Sequence, residues 1–304
     1  MNHNPLVSVI MNCYNSETYL KEAIESVLNQ TYENFELIFW DNHSTDNSAA
    51  IVHSFKDERI RYFYAPKHTS LGEGRNLALE KVRGEYISFL DCDDIYLPEK
   101  LEKTLACFMN GIGIVYTNGY TLYEHNGSKK PFYTKVQPSG NLFELWLQSY
   151  QVMIPSVMFK KDVLDSLEYW FDKRFSMIEE FDFFMRIAKN YNVGYSNEKL
   201  CIWRAHSGSL TWRKKELFEK ENQIFLDKIL KQYPILKGTI TIKHFQAKIA
   251  YHQFYNQWQK RGNPDRKLLK PYFTLDRRFI VIYFLSFFGF SIFNKLLKFF
   301  GKSV

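Results

Sequence analysis

The chain has 304 residues, 45% hydrophobic and 24% charged, which suits one large folded domain with an appendage and excludes a disordered tail. Its net charge of +7 is unevenly spread: residues 1–211 carry 21 Lys/Arg against 27 Asp/Glu, and residues 212–304 carry 19 against 6. Cys13, Cys92, Cys107 and Cys201 are far apart with no paired spacing, and the start Met1-Asn2-His3-Asn4-Pro5 has neither the basic nor the apolar stretch of a secretory signal. Reduced thiols and a cytoplasmic location are expected.

The first two hundred residues alternate short apolar runs with helix-period stretches. Residues 7–11, 35–40, 60–64 and 86–90 are strand-like, and 17–29, 46–55, 71–82 and 99–109 have helical period. This β-α rhythm predicts an α/β fold with a mostly parallel sheet flanked by helices. After an apolar run at 112–116, residues 124–140 are turn-rich and read as loops with an antiparallel excursion. A helix over 178–191 and a strand near 200–203 follow. From residue 216 onward the periodicity is helical throughout, broken at Pro234, Gly262-Asn263-Pro264 and Pro271. A boundary near Trp212 therefore divides a first domain, 1–212, from a basic helical region, 213–304.

That region ends in the run FIVIYFLSFFGFSIF, Phe279 to Phe293, bracketed by Arg277-Arg278 and by Lys295, Lys298 and Lys302. Fifteen residues fall short of the roughly 20 that a helix needs to span a bilayer. Ser291, Asn294, Lys295, Lys298 and Lys302 form a polar stripe opposite Phe293, Leu296, Leu297, Phe299 and Phe300. The segment over about 277–302 is read as a peripheral docking element for an anionic membrane surface, with a buried packing helix or dimer seam as the alternative. Nucleic acid is the weaker partner for this basic region, because it ends in an apolar segment instead of exposed stacking aromatics among basic loops.

Candidate chemistry collects where strands end. Asp91-Cys92-Asp93-Asp94 follows the run 86–90, and carboxylates at the carboxyl edge of an open α/β sheet suit a divalent ion that keeps positions open for phosphate oxygens. The other reading is an Asp-rich turn, with Asp94 capping a helix that begins near Pro98. Asn12 and Tyr14 leave the first strand, with Ser16 as a helix N-cap; Asp41 and Asn42 leave the second, ahead of a helix begun by Ser44 to Asp46. Both junctions offer polar and aromatic groups to a base or phosphate, or are simply capped turns. Gly72 and Gly74 lack the spacing of a dinucleotide or P-loop fingerprint, and Arg75 at a helix start calls for a diphosphate or a neighbouring carboxylate. Glu179, Glu180 and Asp182 open the later helix, either as ordinary complements to the helix dipole or, with an electrophile nearby, as a general base. His206, beside Arg204, is a metal or phosphate ligand or a structural histidine.

Taken together, PLVSVIMNCYNSETYLKEAIESVLNQTYENFELIFWDNHSTDNS, the GRN of Gly74 to Asn76, GEYISFLDCDDIYLPEKL, IEEFDFFMRI and WRAHSGS make residues 5–211 resemble the family 2 glycosyltransferases of the GT-A fold. The resemblance implies an inverting enzyme that uses a nucleoside-diphosphate sugar, most simply a UDP-sugar, with Mn²⁺ or Mg²⁺. It places Asn12, Tyr14, Asp41 and Asn42 at the base and Asp91 at the ribose. Asp93 falls at the metal, Arg75 and His206 near the diphosphate, and Glu180 at the base that deprotonates the acceptor. Two departures stand out. Asn42 occupies the place of a usual Asp, and Glu180 that of a more usual Asp, which leaves Glu179 and Asp182 as substitutes and a sugar-nucleotide-binding scaffold without turnover as the rival reading. With the basic region, the resemblance implies an acceptor on a membrane-linked glycan (lipid-linked oligosaccharide, lipopolysaccharide or capsule precursor) at the inner face of a bacterial cytoplasmic membrane.

Overall fold

The computed structural model describes residues 4–109, 111–209, 214 and 216–299. They fall into two compact units, Met1–Trp146 with Tyr150–Arg213, and Leu147–Ser149 with Lys214–Val304. The expected boundary at Trp212, Lys302 of the expected polar stripe and Phe300 of the apolar face opposite it lie outside the described residues.

The first unit is built on one nine-stranded sheet. Its strands are β1 (Val7–Cys13), β2 (Phe35–Asp41), β3 (Ile60–Tyr64), β4 (Tyr86–Phe89), β5 (Ile95–Tyr96), β6 (Ile112–Tyr123), β7 (Ser128–Pro131), β8 (Met158–Lys160) and β9 (Asn192–Ala205). They lie in the order β3-β2-β1-β4-β8-β6-β9-β5, with β7 paired to β6. The pairs β2–β3, β1–β2 and β1–β4 are parallel. Beyond β4 the sheet is mixed: β8 runs antiparallel to both β4 and β6, and β9 runs parallel to β6. Two- and three-residue strands such as β5 and β8 are too short to show a period, so the sequence reading contains neither. β9 is far longer than the apolar core at 200–203 because its first half, through Ser196, Asn197 and Glu198, is polar. The excursion expected within 124–140 is the β6–β7 hairpin.

Parallel connections are supplied by α1 (Glu17–Leu28), α2 (Ser48–Ser54) and α3 (Leu71–Leu79), followed by α4 (Lys100–Leu105), α5 (Phe143–Gln148) and α6 (Glu179–Asn190). The buried face of α1 is Leu20, Ala23, Ile24 and Val27, the i, i+3, i+4, i+7 stripe of an amphipathic helix. It packs in the same core as Val7, Val9 and Met11 of β1 and Leu37 and Phe39 of β2. Each large aliphatic chain buried there contributes roughly 1.5–3 kcal/mol.

Helix starts differ from the sequence expectations. Ser16 occupies the N-cap position of α1 without a side-chain cap; its hydroxyl donates to the Tyr14 carbonyl. Asp46 does that work instead, accepting from the Glu17 N–H through Oδ2 and from the Ser48 N–H through Oδ1, so one carboxylate serves two helix starts. Consequently α2 begins at Ser48, later than Ser44 to Asp46. Asp94 caps no helix: α4 starts at Lys100 with Glu99 at its N-cap.

The chain lays β1, β2 and β3 outward on one side and then returns to place β4 on the other side of β1. The reversal opens a crevice at the carboxyl ends of β1 and β4, where ligands bind in open α/β sheets. A close backbone approach sets the entry to β4. A Cβ at Gly84 would lie 2.6 Å from the Leu6 carbonyl oxygen and 2.7 Å from the Ser8 nitrogen. Gly84→Ala is therefore expected to lower unfolding stability by about 1–3 kcal/mol, read from urea denaturation, because both neighbours are backbone. An unchanged midpoint would show that this approach can relax freely.

Candidate active site

The carboxyl ends of β1, β2 and β4 and the starts of α3 and α6 bring most of the sequence-predicted residues into one crevice. Asp91, Asp93 and Asp94 each offer a carboxylate oxygen, all within 4.8 Å of one another. The Asp93 Oδ2 meets His206 Nε2 at 2.8 Å, and that hydrogen bond raises the histidine above its ordinary pKa. Asp94 is buried, with Oδ1 accepting from the Arg204 N–H at 2.9 Å, while Oδ2 has no partner among the described residues. Burial first, then the charges of Asp93 and Asp91, push Asp94 well above the usual carboxylate range. A buried oxygen without a donor beside two like charges is an arrangement that a divalent cation would relieve. The donor set, hard oxygens with a nearby imidazole, suits Mn²⁺ or Mg²⁺.

Arg204, which sequence reasoning noted only as a neighbour of His206, braces this cluster. Its Nε donates to the Asp93 carbonyl, its Nη2 to Glu22, and its guanidinium lies 4.3 Å from the centre of the Tyr19 ring.

Arg75 meets one of the two partners expected for it. Its guanidinium is 2% exposed, donating through Nη1 to Glu179 Oε1 at 2.9 Å and through Nη2 to Asp91 Oδ1 at 3.1 Å. The rings of Phe89 and Phe171 lie 5.7 and 5.6 Å from it. Of the two partners foreseen for this arginine, the structure supplies the carboxylates. The guanidinium is a buried strut between β4 and α6, with no open face for a diphosphate.

The three acids at the start of α6 separate by environment. Glu179 is buried against Arg75. Asp182 is fully buried and accepts from Arg186 Nε at 3.1 Å, which removes it from the crevice as a substitute base. Glu180 is half-buried and makes no hydrogen bond among the described residues. Burial raises its carboxyl; Arg75 opposes the shift, Glu179 and Asp91 add to it, and the result is pushed up to about 8.

Tyr150 is a residue that the sequence reading missed. Its ring packs edge-on against Phe181 at 4.9 Å, and its hydroxyl is buried with no partner among the described residues. Burial and then the charge of Glu180 drive it well above the ordinary phenol range. A lone Tyr just past the helix Phe143–Gln148 carries no sequence signal that its hydroxyl is left unpaired beside these acids.

At the base end, Asn12 has both amide atoms buried and unpartnered, and Gly74 keeps α3 close enough that a Cβ would sit 3.2 Å from the Asn12 amide nitrogen. Tyr14 is exposed, and its ring lies 3.9 Å from that of His68, tilted by 36°. These two remain available to a ligand. Asp41 and Asn42 do not: Asp41 Oδ1 accepts from the Ser44 N–H and Oδ2 from the Tyr62 hydroxyl, both at 2.7 Å. The Asn42 amide is bound to Thr69 through the carbonyl, N–H and hydroxyl of that residue. In this structure the pair expected to read the base secures the turn after β2 and the approach to α3.

Removing the guanidinium should expose how much the site rests on it. Arg75→Ala leaves Glu179 buried without its cation and is expected to cost about 3–5 kcal/mol of unfolding free energy in urea titration. A loss below about 1 kcal/mol would mean that the acids reorganise without it.

Comparison with known proteins agrees with this architecture. Residues 8–167 match the family model described as Glycosyl transferase family 2. An uncharacterised glycosyltransferase of Haemophilus influenzae is 37% identical over 215 residues, covering 69% of this chain and 83% of its own. TuaG of Bacillus subtilis, a glycosyltransferase whose name places it in teichuronic acid biosynthesis, is 37% identical over 129 residues, 42% of this chain and 51% of its own. Among solved structures, S. aureus TarS in complex with UDP-GlcNAc superimposes with a TM-score of 0.62 at 19% identity, over 84% of this chain and 73% of its own. The mannosyltransferase PcManGT from Pyrobaculum calidifontis, in complex with GDP-Man and Mn²⁺, gives 0.58 at 17% identity, over 84% and 72%. At these identities the two structures show a shared GT-A fold.

Proposed function

The chain belongs to glycosyl transferase family 2, and on that premise we propose that it moves a sugar from a nucleoside-diphosphate sugar to an acceptor hydroxyl with inversion at the anomeric carbon. The observation that carries this reading is the pairing, across Arg75, of a three-carboxylate cluster with a free, raised-pKa acid at Glu180. One part suits a diphosphate and its counter-ion, the other suits proton removal.

Asp91, Asp93 and Asp94 would hold Mn²⁺ or Mg²⁺, with His206 exchanging its contact with Asp93 for the ion. When bound, such an ion neutralises charge that develops on the departing diphosphate. Asn12 and Tyr14 receive the base, the first through its unpaired amide and the second through its exposed ring. Glu180 accepts the proton of the acceptor hydroxyl while the oxygen attacks the anomeric carbon. The bond to the diphosphate oxygen breaks on the opposite face, and one displacement inverts the centre. A conjugate acid near 8 makes Glu180 a competent base near neutral pH. Glu179, spent on Arg75, and Asp182, spent on Arg186, do not compete for this role.

We take the donor as a UDP-sugar carrying a hexose or N-acetylhexosamine; the likeness to TarS bound to UDP-GlcNAc supports this choice of base. The acceptor is a glycan carried at a membrane, such as a lipid-linked oligosaccharide, lipopolysaccharide or capsule precursor, which places the chain peripherally on the cytoplasmic side. The basic region 213–304 and the resemblance to TuaG support this part of the reading.

The test is nucleoside diphosphate release from a panel of nucleotide sugars with Mn²⁺ or Mg²⁺. Release with one donor that requires the ion, and that falls by about 10²-fold or more in Asp93→Ala, is expected. Release that ignores the ion, or an Asp93→Ala variant as active as the parent, contradicts the assignment. A protein that binds the donor without releasing diphosphate, with acceptor glycan present, would be the scaffold.

A further inference from the structure

Within the second unit, α7 (Leu217–Gln232) and α8 (Ile240–Arg261) are followed by α9 (Arg278–Leu285), a single 3-10 turn at Ser286–Phe288, and α10 (Phe290–Phe299). The apolar run divides between two directions. Phe279 and Phe293 turn inward to a core with Phe254, Trp258 and Leu269. Val281, Phe284, Phe287, Phe288 and Ile292 turn outward, with Phe284 59% and Phe288 64% exposed. The inward set accounts for the packing-helix alternative; the outward set has no counterpart in it. Five large apolar side chains presented together on one short helix–turn–helix are more than scattered surface hydrophobes.

The frame around them is cationic. Residues 262–304 hold eight Lys/Arg, at 266, 267, 270, 277, 278, 295, 298 and 302, against two acids, Asp265 and Asp276. Lys267, Lys270, Arg277, Arg278 and Lys295 are exposed. Asp276 is already engaged with Arg278, so it does little to offset the others. No helix among the described residues is long and apolar enough to cross a membrane.

We propose that Val281, Phe284, Phe287, Phe288 and Ile292 form a monotopic insertion surface that enters the interfacial layer of an anionic bilayer, with Arg277, Lys295 and their neighbours on the lipid phosphates. The occupant is committed by charge: an apolar centre with a basic rim complements acidic headgroups over acyl chains, whereas a second copy of the same face would set cation against cation. This deepens the membrane-side part of the proposed function and rests on it only for where the acceptor is found. The outward residues run from α9 through its following turn to Ile292 at the start of α10. Ser286 is buried, and its hydroxyl and carbonyl accept from Arg266, which ties the 3-10 turn down and holds Phe287 and Phe288 outward.

The experiment is co-sedimentation of the full chain with vesicles of phosphatidylcholine alone and of equimolar phosphatidylcholine and phosphatidylglycerol. Binding to the anionic vesicles, weakened by salt, is expected. Phe284→Ser and Phe288→Ser should each weaken it by about tenfold, and Arg277→Gln and Lys295→Gln each by about fivefold. All four positions are exposed, so unchanged thermal unfolding separates lost docking from lost folding. Equal binding to both vesicle types, or no binding to either, overturns the proposal. So does a dimer in sedimentation velocity that Phe284→Ser with Phe288→Ser dissociates, since a second copy would then cover the face. Donor turnover measured without vesicles keeps the two readings apart. A chain that turns over donor and ignores vesicles sinks the surface alone, and one that docks without turnover sinks the reaction alone.

Discussion

The site depends on one buried cation. Arg75 reaches from α3 to Asp91 at the end of β4 and to Glu179 at the start of α6, joining parts of the chain 16 and 104 residues away. Without it, three carboxylates from two elements would face one another in a crevice of low polarisability, and the cost of each charge would exceed what packing could offset. With it, Asp91 and Glu179 are fixed in place by hydrogen-bonded ion pairs, while the carboxyl of Glu180 makes no hydrogen bond among the described residues. The same contact therefore fixes the carboxylate at the end of β4 and the first acid of α6 while leaving Glu180 unengaged beside them.

A second set of contacts does the equivalent for the carboxylate cluster. Arg204 is drawn under Asp93 by its Nε and fastens Asp94 through its own N–H, and His206 meets Asp93 from the same strand end. Because β5 pairs with β9, the loop that carries the acids and the strand that carries Arg204 are parts of one sheet. The cluster remains short of positive charge even so. The Asp94 oxygen with no donor shows where a cation would relieve the most electrostatic cost.

Much of this is legible in the amino-acid sequence alone. The apolar run into Asp91-Cys92-Asp93-Asp94 gives a strand with carboxylates at its end, and the repeated strand–helix rhythm makes a sheet edge the natural site. Other parts could not be read. β8 is three residues long, and whether it runs parallel or antiparallel is decided by its neighbours β4 and β6. The inward turn of Asp94 depends on Arg204, 110 residues away, and no local pattern contains that contact. Asp41 and Asn42 show the same limit. Polar residues at a strand end suit a ligand and a turn equally, and only the positions of Tyr62 and Thr69 show that the turn has taken them. Local pattern resolves which groups lie at the edge; long-range partners decide which of them are free.

The proposed reaction rests on Glu180, whose carboxyl has a raised pKa and no hydrogen bond among the described residues, unlike the other acids at the start of α6. Its sign is clear: a base works ionised, so turnover rises with pH up to the pKa of its conjugate acid and levels off above it. The decisive measurement is the pH dependence of kcat/KM for the parent and for Glu180→Gln, with donor binding measured alongside. The account predicts an ascending limb that levels near 8 in the parent, and a variant that binds donor normally, loses about 10²-fold or more in rate, and has no such limb. A variant that keeps the parent's rate and the same ascending limb would place the base elsewhere.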